Sequence, residues 1–306
     1  MYYIVFAFWY ILSLLPIRIH YIFSDILYLI LYKMVGYRKK VVRNNLTTSF
    51  PEKTEKELRQ IEKGFYHWFC DYIAETVKMF SMSEKEITRR MRFEGIEQVN
   101  DDMKNHRSVT LYLGHYCNWE WICSLALHTF PEGIAAQLYH PLESKLFDRL
   151  FLYARGRFKA HSIKMDDAFK ILATWQKENK VTVTGFISDQ VPGYGSMHYW
   201  PWFLNHDTPV FTGAERIARI LNTSVYYIDI ERPRRGFYVA KFVNICKEAD
   251  ELPKFGITEQ YFRMLENSIR RAPEFWLWSH NRWKRTREQF NELYSEEERK
   301  RILNKL

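Results

Sequence analysis

Cysteine is scarce: Cys70, Cys117, Cys123 and Cys246 are the only four, and no two form a C-x-x-C pair. That argues against a disulfide framework and for reduced, buried thiols in a cytosolic compartment. No G-x-S-x-G elbow occurs, which argues against a serine hydrolase of that type. His115 has no second histidine at i+4, so a zinc-binding helix of the H-x-x-x-H kind does not form around it. No recognisable nucleic-acid module, internal repeat, low-complexity tract or clear linker is present. No uninterrupted apolar run reaches the ~20 residues that cross a bilayer.

What is present begins at the N-terminus. Residues 2–15, YYIVFAFWYILSLL, carry no charge, and after Pro16 and Arg18 a second apolar run contains His20 and Asp25. Together the two runs would span a membrane with a kink at Pro16 or lie in its interface. No basic region precedes them and no small-residue cleavage site follows, so a secretory signal fits poorly. Lys33, Arg38, Lys39, Lys40 and Arg43 come next. A basic cluster there reads as a cytoplasmic flank that meets anionic headgroups. The expectation is an N-terminal membrane-anchoring segment over 1–32 and one catalytic domain over 33–306. The formal charge of +9 suits anionic partners. The 17% aromatic content suits an interface between water and lipid, although core packing also uses such residues.

Leu58, Ile61, Phe65, Trp68 and Phe69 recur at helical steps, and Ser49 and Pro51 mark the expected helix start. SVTLYLG, GIAAQLYH and VTVTGFISDQ read as strands, and ESKLFDRLFLYARGRF, DDAFKILATWQKENK and TGAERIARILN as helices. The stretch around RPRRG reads as a hairpin, and the tail from Thr286 as helical. Strands alternating with helices predict an α/β fold with a mostly parallel central sheet flanked by helices.

LYLGHYCNWEW puts His115 just after a strand, with Glu120 five positions on. His115 is open to several readings: a metal ligand with distant partners, a satisfied structural histidine, or a base with an orienting acid. In a continuous helix five residues turn through about 500°, which parts the two side chains. The pair works only if His115 sits in a strand-to-helix turn, with Gly114 allowing the turn and Asn118 capping the helix. Ligands in open α/β sheets lie at such strand ends.

H-x-x-x-x-[DE] after a strand resembles the motif of the lysophospholipid-type acyltransferases. GHYCNWEW, then YHPLESKLFDRLFLYARGRF, then FISDQVPGYG with WPWFLNHDTPVFTGAERIARILNTSVYYI, then APEFWLWSHNRWKR follow in the order of the late acyltransferases of lipid A biosynthesis. This resemblance, over residues 1–285, implies a glycerolipid acyltransferase-like fold with an N-terminal membrane helix. It implies acyl carrier protein as donor, a lipid A precursor or related glycolipid as acceptor, and the cytoplasmic face of the inner membrane as location. It implies His115 as general base and Glu120 as the acid that orients it. Arg155 and Arg157, in the second block, would grip a phosphate of the acceptor or of the phosphopantetheine arm. Asp189 and Gln190 stand at the family's DQ position, Asp189 pairing with one of those arginines. YWPWF would wall the acyl channel, and Arg282, Lys284 and Arg285 would meet lipid phosphates or the acidic carrier. No metal, cofactor or nucleic acid is expected. The alternatives are an acyltransferase of another membrane lipid and a non-catalytic membrane-associated binding protein. FPEG at 130–133 lies too early for a phosphate-binding block and is read as chance.

Overall fold

The computed structural model describes residues 2–303 and 305–306. The chain opens with helices α1 (Tyr2–Leu14), α2 (Ile17–Tyr28, continued by a wider π turn over Leu29–Val35), α3 (Lys39–Ser49), α4 (Glu55–Lys78) and α5 (Glu84–Arg90). Strand β1 (Met91–Glu94), helix α6 (Ile96–Lys104) and strand β2 (Val109–Leu113) follow, then a 3₁₀ segment, Trp119–Leu127. Next come β3 (Ile134–Tyr139), α7 (Lys145–Gly156), β4 (His161–Lys164), α8 (Ala168–Lys177) and β5 (Thr182–Ile187). A two-residue pair, β6 (Trp202–Phe203) and β7 (His206–Asp207), precedes α9 (Gly213–Leu221) and the hairpin of β8 (Ser224–Arg234) and β9 (Phe237–Cys246). Helices α10 (Gly256–Arg271), α11 (Arg287–Leu293) and α12 (Glu296–Leu303) close the chain.

The central sheet runs β1-β9-β8-β2-β5-β3-β4. Strands β8, β2, β5, β3 and β4 are mutually parallel, and β9 with β1 runs against them. β2 is buried along its whole length, as a strand covered on both faces must be, and VTLYL accordingly lacks polar alternation. The mostly parallel α/β sheet expected from the alternation of elements is present. Gly236, at a φ of 74°, makes the tight β8–β9 turn that a side chain would strain.

Helix α4 begins at Thr54, not at Ser49 or Pro51. Thr54 accepts from the Glu57 amide while the Glu57 carboxylate accepts from the Thr54 amide, a reciprocal cap that ties up orphan donors. Its apolar stripe buries Phe65 and Trp68 completely. Truncating either to alanine would cost about 3–5 kcal/mol.

The N-terminal apolar stretch is two helices rather than one. Among the described residues no single helix is long and apolar enough to cross a membrane, and the pair on either side of Pro16 is bent by 113°. Proline lacks the amide that would continue α1 and fixes φ for a new first turn. The inner face of α1 packs Phe6 and Trp9 on Phe80, and α2 buries Ile17 and Tyr28 in the main core. Their outer faces leave Tyr3, Ile4, Phe8, Ile11, Leu14, Ile22, Phe23 and Ile26 exposed.

Candidate active site

Strands β2 and β5 are parallel neighbours with Leu113 opposite Ile187. Strand side chains alternate, so the residues two beyond each partner emerge at the same end and side of the sheet. Those residues are His115 and Asp189. The His115 amide donates to Asp189 Oδ2 at 2.9 Å, and its ring Nδ1 lies 2.6 Å from Asp189 Oδ1. Trp276 Nε1 donates to Oδ2 at 2.8 Å. Burial alone would raise the Asp189 pKa, but the charge of His115 and the bonds from His115 and Trp276 hold it down at about 2. An ionised Asp189 accepts only, so Nδ1 donates to it, and in the neutral tautomer Nε2 presents the lone pair. Gln190 Nε2 lies 3.3 Å from that nitrogen. The ring of Trp119 meets His115 edge to face at 5.0 Å.

Glu120 is elsewhere engaged. Its carboxylate receives two bonds from Arg155, Nε to Oε2 at 2.7 Å and Nη2 to Oε1 at 2.6 Å, and a longer one from Tyr72 at 3.4 Å. Glu120 is 3% exposed. Burial pushes its pKa up, and the adjoining guanidinium more than reverses this, leaving it lowered. The carboxylate bonded to the His115 ring is therefore that of Asp189, and the expectation that Glu120 holds the imidazole is corrected. The turn and the Asn118 cap form as expected, but Arg155 of α7 takes both Glu120 oxygens and Asp189 takes the His115 Nδ1. The expected pairing of Asp189 with Arg155 or Arg157 is not seen either. Arg155 serves Glu120, and Arg157 donates to the Met79 carbonyl.

The turn that presents His115 is fixed from three sides. A Cβ on Gly114 would lie 2.8 Å from Leu265 and 3.3 Å from Asp189 Oδ2. A side chain there would displace Leu265 and press on Asp189 by a few tenths of an ångström. The left-handed residue is Cys117, at a φ of 53°. Asn118 caps the 3₁₀ segment by accepting from Trp121 N at 3.1 Å, as expected of a cap. Its amide donates to Glu75 Oε2 at 2.6 Å, and the same carboxylate receives Tyr238 and Tyr21. From the third side, Leu277 N donates to His115 O, and Cys117 N to Phe275 O.

That last segment belongs to the basic block near the C-terminus, which contributes differently from the expectation. Arg282 is fully buried and donates to the Pro209 carbonyl at 2.7 Å. Burial lowers its pKa to about 10, opposed by Asp189. His280 is pushed down to about 4, first by burial and then by Arg282, and its Nε2 receives the Val191 amide at 3.4 Å. Lys284 is exposed and Arg285 donates to the Pro192 carbonyl. Trp276 and Glu75 were not singled out in the sequence; Trp276 lay within a quoted block, while Glu75 looks like any polar residue of a long helix.

His115, Glu120, Arg155 and Gln190 all line a cavity of about 740 Å³, well within the size range of small-molecule sites. Its walls are otherwise mainly apolar, including Leu113, Ile122, Ala136, Phe186 and Ala214. β3 stays on β5 only as far as Gln137, while it follows β4 to Tyr139 and β5 follows β2 to Ile187. The sheet parts at this edge, and residues on both sides of the parting line the cavity. YWPWF does not: Phe203 packs on Phe262 and Trp276, Trp200 on Phe290, and Trp202 is exposed. Among the described residues, no group of three or more His, Cys, Asp or Glu is placed to hold a metal ion.

Comparison with known proteins gives a family match over residues 1–285, to the family described as bacterial lipid A biosynthesis acyltransferase. The lipid A biosynthesis lauroyltransferase of Escherichia coli K12 is 24% identical over 253 residues, covering 81% of this chain and 79% of that protein. The palmitoleoyltransferase of the same strain is 20% identical over 254 residues, with the same coverage. A lipid A biosynthesis acyltransferase of Shigella flexneri is similar to the same degree.

Proposed function

The chain belongs to the bacterial lipid A biosynthesis acyltransferases, and on that premise we propose that it moves a fatty acyl chain from an acyl carrier protein thioester to a hydroxyl of a lipid A precursor, with His115 as the base. The observation that carries the mechanism is the His115–Asp189 pair opening onto an apolar cavity. The acyl chain lies in the cavity, its thioester carbonyl beside His115. The acceptor hydroxyl replaces the Gln190 amide at Nε2 and gives up its proton to that nitrogen as its oxygen attacks the carbonyl carbon. Asp189 stabilises the imidazolium from the Nδ1 side and is a positioning residue. The freed Gln190 amide donates to the oxygen that becomes negative. When the tetrahedral intermediate collapses the C–S bond breaks, and the imidazolium returns its proton to the leaving thiolate. Ester and free thiol are the products, with no enzyme nucleophile required.

Glu120 and Arg155 form a closed ion pair in the cavity wall that holds α7 against the His115 turn. The exposed apolar faces of α1 and α2 lie in the membrane interface, with residues 1–32 as anchor and 33–306 as catalytic body on the cytoplasmic face of the inner membrane. Exposed Lys284 is available to the acidic carrier, a contact that salt weakens.

The test is acyl transfer by purified protein in detergent, with labelled acyl carrier protein and a lipid A precursor. Product from wild type and a loss of about 10²-fold or more in His115→Ala are expected. Transfer that survives His115→Ala removes the base. Transfer only to other lipids keeps the chemistry and replaces the acceptor.

A further inference from the structure

A second cavity, of about 440 Å³, sits where α1 turns into α2. Arg18, Lys78, Lys85, Arg89 and Arg90 line it, with Glu86 as the one carboxylate. Glu86 is already held by Arg90 at 2.9 Å. Lys78 is buried, and its ammonium donates at 2.9 and 3.1 Å to the carbonyls of Ser13, in the last turn of α1, and of Leu15, just past it. It therefore fixes the bend while keeping a charge that no bonded carboxylate neutralises. Arg18, Lys85 and Arg89 are exposed, and among the described residues none has a hydrogen-bond or ion-pair partner. Most arginines of this chain are paired, so three free cations converging on one hollow, over two buried ones, is an uncompensated concentration of positive charge.

Its position gives the ligand. The bend carries the exposed apolar side chains Ile11 and Leu14 on one side and Ile22 on the other. A surface that buries these in the acyl boundary brings the basin to headgroup depth. Two backbone amides of the first turn of α2, at Ile17 and Arg18, also lack intrahelical acceptors there and add donors beside the cations. We propose that this basin is a binding site for the phosphate of an anionic lipid headgroup, a site that rests on the membrane reading above and sets the depth and orientation of the bent helix pair. Guanidinium groups match phosphate oxygens in pairs, and Lys85 contributes a point charge.

The test is co-sedimentation of the full-length protein with vesicles of phosphatidylcholine alone and of phosphatidylcholine mixed with phosphatidylglycerol. Wild type is compared with Arg18→Gln/Lys85→Gln/Arg89→Gln, and with Lys56→Gln/Lys63→Gln/Lys177→Gln, which removes equal charge outside the basin. Basin neutralisation is expected to weaken binding to the mixed vesicles by roughly a hundredfold, and each single change by about fivefold. Binding to phosphatidylcholine is expected to stay the same, and the control triple to change far less. Equal losses from both triples, or none from the basin triple, overturn the site while leaving membrane attachment standing. No binding of wild type to either vesicle overturns the membrane reading and the site with it. Titration with inorganic phosphate separates the source: heat from free phosphate without headgroup dependence in the vesicles overturns the lipid assignment. The single variants read the same question should the triple melt early.

Discussion

Two acid–base couples lie within one cavity wall. His115–Asp189 joins the ends of neighbouring parallel strands and leaves one ring nitrogen facing the cavity. Glu120–Arg155 is bidentate and closed, with both partners charged and nothing left to exchange. The first couple keeps one ring nitrogen free of the carboxylate; the second has both carboxylate oxygens engaged by one guanidinium. Nearness in sequence joins His115 to Glu120, but sheet register joins it to Asp189.

The widest separation between the couples comes from removing each acid. Asp189→Asn is expected to lower the acyl-transfer rate by about 10³–10⁴-fold, as loss of the orienting acid does in Ser-His-Asp systems. The melting temperature should fall too, since the carboxylate, its pKa held at about 2, stabilises the fold at neutral pH. A rate near wild type in Asp189→Asn would remove Asp189 as the acid that orients His115. Glu120→Leu leaves the Arg155 charge, 20% exposed, without its partner, which costs up to about 3 kcal/mol of stability. Thermal unfolding should show this, and Glu120→Leu/Arg155→Met should recover most of it. A double variant no more stable than the single one would show that the pair is more than a structural tie.

A smaller effect is set by pH. His280 has its native pKa lowered to about 4, against about 6.5 in the unfolded chain. Between those values the unfolded state binds the proton that the native state refuses. Stability is therefore full above about 6.5 and falls toward pH 4, by on the order of 3 kcal/mol. Denaturant melts across this range should be flatter in His280→Gln, and an unchanged slope would place the titration elsewhere. The smallest effect is expected from Trp276→Phe, which removes one donor from Asp189. A rate loss of about tenfold, near 1.4 kcal/mol, is expected, with KM for the acceptor unchanged.

The sheet was legible because VTLYLG and VTVTGFISDQ announce buried strands, and His115 because it follows one directly. The acid partner was not, since 74 residues of chain separate it from His115 and only the pairing of Leu113 with Ile187 brings them together. Asp189 and Gln190 were visible as the polar end of a strand, which marks a site but not a role. Arg282 was expected to meet lipid phosphates or the carrier because its block is basic, whereas it is fully buried; burial of a guanidinium leaves no local mark. The bent N-terminal pair was half legible: Pro16 marks the break, but the bend of 113° and the contacts of both helices with Phe80, Lys78 and the core are tertiary.

The most direct test of the account is the imidazole nitrogen NMR of His115, with labelled histidine, in wild type, Asp189→Asn and Glu120→Gln. The prediction is a proton on Nδ1 in wild type, displaced in Asp189→Asn and unaltered in Glu120→Gln. A proton that stays on Nδ1 without the Asp189 carboxylate, and leaves it when Glu120 is neutralised, would contradict the assignment of Asp189 as the acid that orients His115.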